Sequence, residues 1–131
     1  MEEILILVIE DEADVQALID EALRDGGYEP SVAGSGEEAV TLLKGGQYKF
    51  RVLVTDINLA GRINGWEVAK AAREIDPAFP IIYMTGAAAE EWPSKGVPNS
   101  VLLTKPFAPA QLVTAISNLL NVGSPPVAPP G

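Results

Sequence analysis

A carboxylate stands at the end of an apolar run in "RVLVTD", where Asp56 follows Val52, Leu53 and Val54 almost at once. Burying it there is costly unless a cation or a reaction uses it. Two more acids, Glu10 and Asp11, follow the run "ILILVI" (4–9), Thr85 ends "PIIYMT" (80–85), and Lys105 follows "SVLLT" (100–104). Three carboxylates in one pocket repel, and a hard divalent cation with oxygen ligands is the least costly remedy. Mg²⁺ suits such a set because it leaves room for waters and a phosphate oxygen. An ordinary aspartate, with a pKa of about 3.9, is ionised at neutral pH and needs no base to act as a nucleophile. Attack on a phosphoryl group requires positioning and charge neutralisation above all. The cation would supply one positive charge, Lys105 a second, and the Thr85 hydroxyl a donor to a phosphoryl oxygen. On this reading Asp56 is a phosphoacceptor.

Taken singly, each residue has a plainer explanation. Asp56 suits a turn, Glu10 and Asp11 suit the dipole of a following helix, Thr85 before Gly86 suits a cap, and most lysines are solvated. The plain readings would all have to hold at the same edge of one sheet, and the joint pattern favours a site.

The elements that must position these residues alternate. "EILILVI" (3–9) reads as a strand buried on both faces. From 12 to 25, Val15, Leu18, Ile19, Ala22 and Leu23 recur at helical spacing until Gly26-Gly27. A short strand is expected at 31–33, then a helix to about Lys44 opened by an S-x-x-E capping box of Ser35 and Glu38. The strand 51–55 precedes a helix from about Gly65 that Asp76-Pro77 ends. After the strand 80–85, Pro93, Gly96 and Pro98 permit only a short fourth helix, about 87–92. The strand 100–104 and a last amphipathic helix from Pro109 follow. Five βα units with apolar strands imply an α/β fold: a doubly wound, five-stranded parallel sheet in the flavodoxin-like order 2-1-3-4-5, helices on both faces. Ligands of such sheets bind beyond the carboxyl ends of the strands, where the acids, Thr85 and Lys105 fall.

Composition bounds the alternatives. With 9 basic and 18 acidic residues the net charge is −9, which argues against nucleic acid and anionic membranes. Cysteine and histidine are both absent, so thiol chemistry, disulfides, His-based triads and a phosphohistidine on this chain are excluded. The longest apolar run is far short of a membrane span, and the acidic start is unlike a secretory leader, so a cytoplasmic protein is expected. One domain is expected over 1–122, with "GSPPVAPPG" (123–131) as a disordered Pro-rich tail.

The chain resembles the response-regulator receiver domains of two-component systems over about residues 3 to 121. The family's acidic pair matches Glu10-Asp11 in "VIEDE", its phosphorylated aspartate matches Asp56, and Asn58 matches the position whose backbone carbonyl completes a Mg²⁺ site. Thr85 matches the switch hydroxyl and Lys105, in "TKPF", the family lysine, with a cis peptide to Pro106 implied. Three departures stand out: one extra residue in "DINLAGRING", with Ala60 near the usual proline; Leu102 in place of an aromatic; and the short, proline-broken stretch 86–99. The pair Thr85-Gly86, with no aromatic at 102, is similar to an atypical alphaproteobacterial subgroup.

The resemblance implies a phosphorelay receiver. A separate histidine kinase or phosphotransfer protein would supply the phosphoryl group, and the output would be contact with a downstream protein. An aspartyl-phosphate phosphohydrolase of the haloacid dehalogenase type is disfavoured, since its D-x-D pattern would need an acid at Asn58. A flavodoxin-like nucleotide or flavin binder is disfavoured by "EDEAD", which would repel phosphate where a Gly-rich loop should cradle it. A pseudo-receiver that never takes phosphate is the remaining alternative.

Overall fold

The computed structural model describes residues 3–122; the tail expected to be disordered lies outside them. Strands β1 (Leu5–Ile9), β2 (Glu29–Ala33), β3 (Phe50–Asp56), β4 (Ile81–Thr85) and β5 (Val101–Thr104) alternate with helices α1 (Ala13–Asp25), α2 (Gly36–Gly45), α3 (Gly65–Ile75), α4 (Trp92–Lys95) and α5 (Pro109–Val122). The strands pair in parallel in the order β2-β1-β3-β4-β5, the doubly wound order expected from the sequence. Pro30, which cannot donate to a ladder, lies on the edge strand β2, where that loss is tolerated.

Alternation along the strands builds two cores. Leu7, Ile9, Leu53, Ile81 and Tyr83 face Ala39, Leu43, Trp66, Val68 and Ala72 of α2 and α3. Ile6, Val8, Val52, Val54, Ile82 and Met84 face Ile19 and Leu23 of α1 and Leu112 and Ile116 of α5. Each fully buried aliphatic side chain stabilises by about 1.5–3 kcal/mol relative to exposure, so the near-continuous apolar strands commit the sheet to burial on both faces.

Helix ends follow local signals, with two differences from expectation. Ser35 caps α2 by accepting from the Glu38 amide at 3.1 Å, but the Glu38 carboxylate accepts from Gly34, one residue beyond the box expected of it. The full capping box belongs to α3, where Asn64 and Glu67 accept from each other's amides. The expected fourth helix, about 87–92, is instead a 3₁₀ turn over Ala89–Glu91 followed by the single turn of α4. Pro93 explains the shift, because its missing N–H costs nothing in a first turn. This segment is nonetheless tied down. The Trp92 indole donates to Ser100 Oγ at 2.9 Å, the Val97 amide to the Tyr83 hydroxyl at 3.1 Å, and Arg73 to the Pro98 carbonyl at 2.7 Å.

Candidate functional site

Register brings the site together. Ile9 pairs with Thr55, Asp56 with Met84, and Thr85 with Thr104. The residues at the carboxyl ends of β1, β3, β4 and β5 are therefore Glu10, Asp56, Thr85 and Lys105, side by side at the edge where the loops open. Glu10 and Thr85 are fully buried and Asp56 is 6% exposed, whereas Asp11 is exposed.

The Lys105 ammonium bridges two of the acids, donating to Glu10 Oε1 at 2.8 Å and to Asp56 Oδ2 at 3.2 Å. Carboxylate oxygens of Glu10, Asp11 and Asp56 all lie within 4.8 Å of one another. One lysine thus faces three carboxylates, and the protonation equilibria show the imbalance. Burial pushes the Glu10 carboxyl above its ordinary value, although Lys105 and the Glu12 amide pull it down. Burial likewise raises Asp56; Lys105 opposes this, Asp11 adds repulsion, and the Asn58 amide donates to the carboxylate. Burial works against the charged Lys105, but Glu10 and Asp56 outweigh it and hold the ammonium above its usual pKa. A pocket of hard oxygen donors with surplus negative charge fits a divalent cation such as Mg²⁺.

The other expected residues are nearby in different roles. Thr85 Oγ1 accepts from the amides of Ala87 and Ala88 at 3.1 and 2.8 Å, so its hydroxyl caps the turn after β4. Asn58 reaches Asp56 through its amide. Asp11 Oδ2 accepts from the Ala60 amide at 3.3 Å, tying the loop between β3 and α3 to the start of α1. The Lys105–Pro106 peptide is cis, as the resemblance implies. Leu102 is partly buried against the α2–α3 core, so strand five carries no polar tip at that position.

Two supports of Asp56 escaped sequence reasoning. Thr55, read as one more strand residue, is fully buried and donates from its hydroxyl to the Asp56 carbonyl at 2.9 Å. Gly65 starts α3 directly against the end of β3: a Cβ there would lie 2.2 Å from the Asp56 carbonyl oxygen, and its amide donates to the Ile57 carbonyl at 2.9 Å. A glycine just after a helix-capping Asn was the available signal, and it marks a close backbone approach.

This arrangement can be set beside known proteins. A response regulator receiver domain family model matches residues 6–117. The response regulator receiver protein CpdR of Brucella abortus is 34% identical over 117 residues, which cover 88% of this chain and 95% of CpdR. The crystal structure of a receiver protein from Sinorhizobium medicae superposes with a TM-score of 0.89 at 46% identity, covering 92% of this chain and 96% of that one. The chemotaxis protein CheY4 of Vibrio cholerae superposes with a TM-score of 0.80 at 26% identity, covering 90% and 99%. Acid pair, strand-end aspartate, hydroxyl and lysine stand in a sheet of the same order, and the chain belongs to the response regulator receiver family, the phosphorelay signalling domains of two-component systems.

Proposed function

We propose that Asp56 is the phosphoacceptor and that Glu10, Asp11, Asp56 and the Asn58 backbone carbonyl hold Mg²⁺. One observation carries this reading: three carboxylates converge within 4.8 Å with Lys105 as their close cationic partner. When bound, the cation neutralises phosphoryl oxygens and the acids around it. The chain's own groups do the rest. A carboxylate oxygen of Asp56 attacks phosphorus, the new O–P bond forming as the N–P bond of a donor phosphohistidine breaks, and the freed imidazole takes up a proton from water. Lys105 exchanges Asp56 Oδ2 for a phosphoryl oxygen, a charge-assisted hydrogen bond. Thr85 releases the amides of Ala87 and Ala88 and turns its hydroxyl toward the phosphoryl group, so that the β4–α4 turn registers the event.

The 131 residues hold no histidine, so the phosphoryl group comes from a histidine kinase or phosphotransfer domain outside them. An apolar groove lined by Val15, Leu18, Ile19, Phe107, Pro109 and Leu112 borders Lys105 and supports docking beside the acceptor. The chemistry expected of the chain itself is self-phosphorylation and loss of its own phosphate, with output through a downstream protein contact. Among the described residues no helix is long and apolar enough to cross a membrane, which agrees with a cytoplasmic relay. Titration calorimetry with Mg²⁺ tests the cation site. One ion should bind to the wild type and none measurably to Asp11→Asn; equal affinity in the two would reject the ligand set.

A further inference from the structure

We propose that Glu37, on the first turn of α2, is a positioning residue for the cation site, because it fixes the crest of the loop between β3 and α3. The proposal rests on the assignment of Asp11, Asp56 and Asn58 to that site. The loop leaves β3 at Ile57, whose amide donates to the Met84 carbonyl, and closes where the Gly65 amide donates back to the Ile57 carbonyl. Its neck is therefore closed by two backbone hydrogen bonds. Its crest, 60–62, is exposed. Two side chains outside the loop hold this crest, one on each side of Gly61. Asp11 Oδ2 accepts from the Ala60 amide at 3.3 Å, and Glu37 Oε2 accepts from the Arg62 amide at 3.2 Å.

The two tethers are not equivalent. Asp11 is itself a candidate ligand, and it can keep Ala60 while facing a cation only if the crest stays where it is. Glu37 is no candidate ligand. The Arg62 amide first, then its own amide, with smaller help from the Ile63 amide, hold its carboxyl below the ordinary value, as expected of a carboxylate accepting backbone N–H groups. The surroundings are shaped for this contact. Gly61 adopts a left-handed φ of +99°, and a Cβ there would lie 2.7 Å from Glu37 Oε2. Gly36, the neighbour of Glu37, lets α2 abut the loop backbone, since its own Cβ would lie 2.4 Å from the Ile63 carbonyl oxygen. Sequence alone marks Glu37 as one more acid at a helix start, a position where it would merely favour the dipole.

The test separates positioning from folding. Glu37→Ala leaves an exposed site and should fold, with a melting temperature only a few degrees below wild type. In the metal-free protein its Arg62 and Ile63 amides should exchange about tenfold faster, and Mg²⁺ affinity by calorimetry should fall by about tenfold, as when one charged hydrogen bond stabilises the competent loop. Labelling by a small acyl phosphate should slow equally at limiting Mg²⁺ and recover at saturating Mg²⁺, a split that general misfolding would not give. Glu37→Gln keeps one acceptor oxygen and should fall between the two. Faster exchange with Mg²⁺ affinity within about twofold of wild type would overturn the proposal, as would unchanged exchange. Asp56→Asn runs alongside: if it still takes a phosphoryl group the underlying site assignment fails, whereas if it does not and Glu37→Ala matches wild type, only the role of Glu37 fails.

Discussion

Replacing Gly65 by alanine probes how tightly the acceptor strand is fixed. The added Cβ would lie 2.2 Å from the Asp56 carbonyl oxygen and 2.8 Å from the Ile57 Cα, backbone atoms that cannot rotate aside. Ordinary carbon contacts fall at about 3.5–4.0 Å, so the start of α3 must retreat by about 1 Å. Retreat stretches the 2.9 Å bond from the Gly65 amide to the Ile57 carbonyl and disturbs the Asn64–Glu67 box. Overpacking costs about 1–3 kcal/mol and a lost hydrogen bond about 1 kcal/mol, offset in small part by the better helix propensity of alanine. A net loss of about 2–3 kcal/mol lowers the melting temperature of a domain this size by roughly 6–18 °C. Thermal melts followed by circular dichroism measure this, with Gly45→Ala as control because a Cβ there meets nothing within 4 Å. Phosphorylation measured well below the transition should also slow, since about 1 Å of displacement at a reacting group can cost about 100-fold. A Gly65→Ala protein melting within about 2 °C of wild type would refute the close approach on which this reasoning depends.

Three further outcomes follow from the site and its flank. Glu10 and Asp56 titrate above their ordinary values, burial being the main cause, so the folded state binds more protons than the unfolded one from about pH 4 up to the raised values. Stability from these two groups then falls as pH rises through that window; urea midpoints of metal-free protein should show the fall, and Asp56→Asn should flatten it. Lys105→Ala leaves Glu10 buried without its ammonium and should cost about 1–3 kcal/mol at pH 7, and less as the pH falls and the acids take up protons, which paired urea melts will measure. Tyr83→Phe removes the hydroxyl that accepts from Val97 and should cost about 1–2 kcal/mol while speeding amide exchange at Val97.

Much of this molecule is legible in its sequence because apolar runs and strand ends are local signals. "ILILVI", "RVLVTD" and "PIIYMT" announce buried parallel strands, and a polar residue at or just past the end of each one marks the cluster that the sheet brings together. What stayed hidden depends on tertiary approach. The need for Gly65 arises only because α3 begins against β3, and Glu37 acquires its partner only because α2 lies beside a loop twenty-five residues further along the chain. The segment 86–99 reads as short and broken from Pro93, Gly96 and Pro98, yet Tyr83, Arg73 and Ser100, distant or unremarkable in sequence, hold it in place. Thr85 shows the limit differently: its type and position suggest a hydroxyl that donates to a phosphoryl oxygen, and the structure holds it as the cap of a turn, the starting point from which that role would be taken up.

The central claim is that one carboxylate, Asp56, accepts a phosphoryl group in a cation-dependent reaction. Intact-mass measurement after incubation with a small acyl phosphate tests it most directly. Wild-type protein with Mg²⁺ should gain the mass of one phosphoryl group, the gain should vanish when the cation is chelated, and Asp56→Asn, whose amide is no nucleophile, should gain nothing. Equal incorporation by Asp56→Asn, or incorporation that ignores Mg²⁺, would contradict the account.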